Sequence, residues 1–144
     1  MLVELSIENL GIIENVRVSF DKGFTAFTGE TGAGKTMLVE AINLVVGRRA
    51  DVSVIRDGAE EARVEARFIT NSDAGEVETI LCRVLHREGR SRAYINDRMA
   101  TVASLAEIGD ELVDIHGQHA HQRLLSLTTQ RNSLDQFGKV DTSE

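Results

Sequence analysis

Leu2 to Leu10 and Asn15 to Phe20 alternate apolar and polar residues, with Gly11 near the gap between them. A period of two puts successive side chains on opposite faces, so these stretches read as two strands of an antiparallel pair. Asp21-Lys22-Gly23 is a turn. Phe24-Thr25-Ala26-Phe27-Thr28 is short, apolar and rich in aromatic and β-branched residues, which predicts a buried strand. Met37 to Val46 is an almost unbroken apolar run stopped by Gly47, which predicts a buried helix. Val52 to Gly58 is a connector ending in an Asp-Gly turn. Arg63 to Ile69 alternates strictly, with Val64, Ala66 and Phe68 on one side and Arg63, Glu65 and Arg67 on the other. It predicts a half-buried strand. Asn71 to Gly75 is a polar loop. Thr79 to Arg87 and Ser91 to Ile95 flank Glu88-Gly89-Arg90, a hairpin signal. Val102, Leu105, Ile108 and Leu112 recur at helical spacing within Thr101 to Leu112, and Ser104 with Glu107 resembles a capping box. Leu112 to Ile115 predicts a short strand broken by Gly117-Gln118-His119. Thr128 to Phe137 predicts a helix ending at Gly138. Residues 1–138 form one unit, and 139–144 a loose tail.

The segment between Thr28 and Met37 changes the picture. Gly29-Glu30-Thr31-Gly32-Ala33-Gly34-Lys35-Thr36 fits G-x-x-x-x-G-K-[ST] at every fixed position. A strand before it and a helix after it are the context a phosphate-binding loop needs. Gly29 is expected to let the chain leave its strand in a conformation a side chain forbids. Gly32 and Gly34 would let the backbone approach phosphate oxygens. The N–H groups from Gly32 to Thr36 would converge at a helix N-terminus, where the dipole favours anions. Lys35 would reach the β- and γ-phosphates, and the Thr36 hydroxyl would coordinate Mg²⁺. The expected ligand is a nucleoside triphosphate with magnesium; the loop alone does not choose ATP over GTP.

Composition narrows the class. The net charge of −7 argues against a broad non-specific nucleic-acid surface. Arg83, Arg87, Arg90, Arg92 and Arg98 nevertheless crowd the hairpin region against Glu88 and Asp97. They could form a local basic edge; a solvated hairpin face is the simpler reading. No 18-residue apolar run suggests a membrane span, and no basic leader precedes the first strand. The single cysteine, Cys82, permits no internal disulfide, suits a reducing cytoplasm, and reads as a small core residue.

Two strands before the loop and an antiparallel meander after its helix differ from small nucleotide kinases, which begin at the loop-bearing strand. The pattern suggests an α/β phosphate-loop NTPase with the two-sheet head of an ABC-type ATPase. The antiparallel meander would pack against the loop's sheet and helix. The stretches LSIENLGIIENVRVSF, FTAFTGETGAGKT, IRDG, GRSRAYIND and LVDIHGQHAHQRLL carry a closer likeness. On them the chain resembles the N-terminal part of the ATPase head of the RecN family, SMC-like bacterial DNA repair proteins. The resemblance implies a Q-loop at Gln118, ligating Mg²⁺ near the γ-phosphate, and an arginine loop at Arg56. It also implies ATP-driven head-to-head dimerisation, completion by the C-terminal half of the same head, DNA as a partner, and a cytoplasmic, nucleoid-associated setting.

Other readings stay open at this level. His116, His119 and His121 have a spacing that could hold a metal, but no cysteine or fourth ligand lies near, and the Q-loop reading absorbs the block. Asp114 reads as the end of the Q-loop strand rather than as a Walker B aspartate, because Ile115 stands where a catalytic glutamate should follow. No Asp-Glu Walker B strand and no L-S-G-G signature occurs in the sequence. The chain therefore reads as half a head, inactive alone. The rivals are another SMC-like or RecF-like ATPase head, a phosphotransferase using the 83–98 hairpin as a lid, and a non-catalytic nucleotide-dependent interaction module.

Overall fold

The computed structural model describes residues 1–29, 33–72 and 75–115, with Ala33 described by its backbone alone. The chain divides into a compact unit, Met1–Val113, and a second, Asp114–Glu144.

The elements of the first unit are strands β1 (Leu2–Leu10) and β2 (Ile13–Ser19), helix α1 (Ala33–Val45), and a 3-10 turn (Val52–Val54). Strands β3 (Glu61–Ser72), β4 (Gly75–His86), β5 (Ser91–Ile95) and β6 (Arg98–Ala100) follow, then helix α2 (Val102–Leu112). The strands form one six-stranded sheet in the order β2-β1-β3-β4-β5-β6. Every neighbouring pair is antiparallel.

The register explains the alternation. Leu5 lies opposite Val18 and Ala66, Ile7 opposite Val16 and Val64, and Leu81 opposite Ala66 and Ile95. These residues share one face, and the core forms there from Leu5, Ile7, Ala62, Val64, Ala66, Phe68, Leu81 and Leu85, all buried. Helix α1 meets β1, β3 and β4 through its apolar side, burying Ala41, Leu44 and Val45. Full burial of such side chains contributes about 1.5–3 kcal/mol each for Leu or Val before entropy is counted. The opposite face carries Glu4, Glu65, Arg63 and Arg67. There Arg63 pairs with Glu65 at 2.8 Å and Arg67 with Glu78 at 3.1 Å.

Gly47, just past α1, has φ +81, and a Cβ there would fall 2.6 Å from the backbone nitrogen of Ala106. The residue therefore both ends α1 and lets it touch α2.

Several sequence expectations shift. The strand expected over Phe24–Thr28 does not form: these residues lie outside any element, and Phe24 is 94% exposed. Apolar composition selects a strand only if neighbours supply hydrogen bonds and cover, and no described strand does so here. The expected 71–75 loop contracts, because β3 and β4 stay paired as far as Ser72–Gly75. The N-cap of α2 is Thr101, whose side chain accepts from Ser104 N, so Ser104 lies inside the helix rather than capping it. Leu112 belongs to α2, Val113 is its C-cap, and residues 113–115 form no strand. That removes the strand expected to end at Asp114. Strand β6 was not anticipated. It follows a two-residue turn, Asn96-Asp97, whose φ values are both positive, as a type I′ hairpin requires.

Candidate nucleotide site

Helix α1 begins at Ala33, so Gly34, Lys35 and Thr36 occupy its first turn. No acidic residue lies in that turn to offset the positive end of the helix dipole. Lys35 Nζ donates to Gly29 O at 2.6 Å, closing the loop on itself. Thr36 is exposed. A Cβ built on Gly29 or Gly34 would meet no atom within 4 Å. Gly29 is also outside the left-handed region. The expectation that Gly29 is needed for a forbidden backbone conformation is therefore not met; open space beside the loop is what both glycines preserve. Glu30, Thr31 and Gly32 lie outside the described residues, as does the side chain of Ala33.

A cleft of about 530 Å³ runs from this loop to the first hairpin. Gly29, Gly34, Lys35 and Thr28 line one end. Ile12, Ile13, Val16, Val18, Phe27 and Leu38 line the rest. One end is thus polar and cationic, the other apolar. Phe27 also meets Phe20 edge to face, with ring centroids 6.1 Å apart.

The first hairpin is pressed onto α1 at Gly11. Its φ is +55, and a Cβ there would run into Met37 Sδ. Arg56 stands behind the hairpin rather than in the cleft. Its Nη1 donates to Ile12 O at 2.9 Å, and its Nη2 lies 3.6 Å from Glu14. Arg56 therefore touches the cleft through the backbone of Ile12. Gln118, His116, His119, His121 and the helix expected over 128–137 lie outside the described residues. Among the described residues no cluster of three His, Cys, Asp or Glu side chains could hold a metal.

The arginines of the 83–98 segment do not form one basic edge. Arg83 is 4% exposed, on the core face of β4. Its Nε donates to Ser91 Oγ at 2.5 Å, while Nη1 has no partner. Burial pulls its pKa below the usual arginine value. Arg87 is spent on backbone carbonyls, and Arg90 lies 3.9 Å from Glu88. Cys82 is buried and free, as expected, and desolvation pushes its thiol up to about 11.

Comparison with known proteins decides the family. The family model described as AAA domain matches residues 4–141. The chain belongs to the AAA domain family. Within it, the DNA repair protein RecN of Halalkalibacterium halodurans is 42% identical over 95% of this chain and 26% of its own length. RecN of Bacillus subtilis is 39% identical over 98% of this chain and 27% of its own. This AAA domain chain thus corresponds to the N-terminal part of the RecN head, and it spans about a quarter of the length of the curated relatives it matches. A solved SMC ATPase, described for its ATP-driven dimerization and DNA-stimulated activation, superposes with a TM-score of 0.70 at 24% identity. The match covers 94% of this chain and 98% of that one. It shows the fold, an N-terminal lobe of the SMC head type.

Proposed function

We propose that the chain is the ATP-binding half of the head of a RecN-type ATPase acting in DNA double-strand break repair and recombination. The observation that carries this reading is the cleft that joins the Gly29–Lys35 loop to an apolar wall on the first hairpin. Triphosphate chemistry suits the loop end: a lysine, a helix whose first turn holds no acid, and open space beside Gly34. A base suits the other end, which offers apolar surface.

Lys35 would release Gly29 O and reach the β- and γ-phosphates, while the first-turn N–H groups bind phosphate oxygens. Thr36 and Gln118 would hold Mg²⁺, which neutralises phosphate charge when bound. Glu30, Thr31, Gly32 and Ala33 would complete the loop. Arg56 acts through the hairpin. Phe24 and Phe27 offer an exposed apolar segment to the C-terminal half of the same head. Head-to-head dimerisation with ATP, contact with DNA and a nucleoid setting in the cytoplasm belong to the same proposal. No described helix is long and apolar enough to cross a membrane.

The phosphotransferase reading loses its lid, because β4 is paired along its whole length with β3 and β5 pairs with β4. A strand held in a sheet is not free to close over a substrate.

Calorimetric titration with Mg-ATP tests the site. Lys35→Ala is expected to weaken binding by 1 kcal/mol or more, since a charge-assisted phosphate contact contributes about 1.5–3 kcal/mol. Equal affinities of variant and parent would remove Lys35 from the site. The chain alone is expected not to turn over ATP, because its sequence shows no Walker B strand with a catalytic glutamate and no signature motif. Multiple turnovers abolished by Thr36→Ala would overturn that.

A further inference from the structure

Arg87 lies one residue beyond β4 and does not line the cleft. Its guanidinium donates twice to the connector that precedes β3: Nε to Ala59 O at 2.7 Å and Nη2 to Arg56 O at 2.6 Å. Its backbone N–H adds a bond to Glu60 O at 2.9 Å. Three carbonyls of the 56–60 segment are thereby gathered on one residue. A planar guanidinium fork suits two carbonyls at once; a lysine ammonium is a point donor and does not reproduce that geometry.

The connector in turn holds the first hairpin. Arg56 N donates to Asn9 O at 2.9 Å, and Gly11 N donates to Val54 O at 2.7 Å. Leu10 forms an isolated bridge with Ile55. Arg56 Nη1 reaches Ile12 O. Ile12 itself is 63% exposed, so packing does little to fix it. Beside the Leu10–Ile13 pair of the ladder, hydrogen bonds from the connector set its place, and Ile12 and Ile13 belong to the apolar lining of the cleft.

We propose that Arg87 is a positioning residue for the nucleotide: by fixing the Arg56 and Ala59 carbonyls it sets the first hairpin, and with it the wall that receives the base. This rests on the nucleotide reading above. A merely structural role for Arg87 would not single out the base. The β3–β4 ladder is complete from Ser72–Gly75 to Glu61–His86 without its side chain, which is exposed.

The test is calorimetric titration of the 144-residue chain with Mg-ATP and with Mg-tripolyphosphate, which has the phosphates and no base. The parent is expected to bind ATP more tightly than tripolyphosphate. Arg87→Ala should weaken ATP about five- to tenfold, the scale of one net hydrogen bond, and leave tripolyphosphate within about twofold. Arg87→Lys keeps charge and stem but not the fork, so it should show most of the same loss. It is the variant that reports if Arg87→Ala melts below the assay temperature. Amide resonances of Gly11, Ile12 and Ile13 should shift in both variants. Unchanged ATP affinity in the variants, an equal loss for both ligands, or a parent that binds both ligands equally would overturn the proposal while leaving the phosphate loop intact. A parent that binds neither ligand would overturn the nucleotide reading and this proposal with it.

Discussion

Gly11→Ala probes the contact between the first hairpin and the phosphate-loop helix. Two penalties arise. The backbone holds φ +55. An L-residue in the left-handed region costs roughly 1–2 kcal/mol. The added methyl would also run into Met37 Sδ and sit 3.2 Å from Met37 Cγ. Methionine is adaptable, so the side chain moves rather than the backbone, at about 0.5–1.5 kcal/mol for an off-rotamer torsion. Against these, alanine lowers the entropy of the unfolded chain, which offsets roughly 0.4–1 kcal/mol. The net expectation is a loss of about 1–2.5 kcal/mol, read by urea denaturation. The two penalties separate in a double-mutant cycle. In a Met37→Ala background the steric part vanishes and the backbone part stays, so Gly11→Ala should cost about 1 kcal/mol less there. Met37 lies two residues beyond Lys35, so Mg-ATP affinity should fall with Gly11→Ala and recover in the double variant. Equal costs in both backgrounds would refute the steric argument, and a fully stable Gly11→Ala would refute both parts.

Gly109→Ala sets helix propensity against packing. Alanine gains up to about 1 kcal/mol in a helix. A Cβ at Gly109, however, would fall 2.7 Å from Val46 Cβ and 2.8 Å from its backbone Cα and O. Backbone does not yield cheaply, so a net loss of about 1–3 kcal/mol is expected by urea denaturation; a gain would show that α2 slides freely. Arg83→Met replaces a buried guanidinium with an unpartnered Nη1 by an apolar chain, and should leave stability within about 1 kcal/mol or raise it. A loss of several kcal/mol would disprove this. Cys82 should react slowly with thiol reagents at about pH 8 in the native state and rapidly in urea. Its folded pKa is about 11 against an ordinary 9.0, so its contribution to stability is complete below 9.0 and is lost as pH rises toward 11. A denaturation midpoint that is no lower near pH 11 than near pH 8 would contradict the shift.

Strand periodicity was legible wherever one face packs on a helix. Val64, Ala66 and Phe68 alternate with charged residues because the core lies on one side of β3 only. The ends of the strands were not legible, since Asn71 and Ser72 pair in the ladder while their polar side chains say loop. Serine at 104 matched a capping pattern, but a cap needs an extended backbone. Thr101 has it, with φ −82 and ψ 156, three residues earlier. Three-residue β6 is too short to show a period, and its only signal was Asn96-Asp97, residues that tolerate positive φ. Phe24 to Thr28 failed for the opposite reason. Composition reports what a segment would bury, and pairing partners decide whether it is buried.

The two ends of the cleft differ in the same way. The phosphate end is local: its donors lie on one short stretch at the start of α1, so a pattern of glycines and a lysine reveals them. The apolar end is lined by the first hairpin with Phe27 and Leu38, and the hairpin is tied by hydrogen bonds to the connector and through it to the residue after β4; no sequence period links these parts. Arg87 reads in the sequence as part of a solvated hairpin face, and Arg56 as an arginine loop by resemblance. In the fold their task is hydrogen bonding to the main chain. The segment from Arg56 to Ala59 lies outside the ladder; Arg56 O accepts from Ala59 N within its own turn, and Arg87 adds side-chain donors to Arg56 O and Ala59 O. A guanidinium carries five N–H groups and supplies several donors at once. An arginine facing a connector without strand partners is thus better read as a clamp on that connector than as a free charge. At Arg87 that clamp reaches, through Arg56 and Ile12, the wall opposite the phosphate loop.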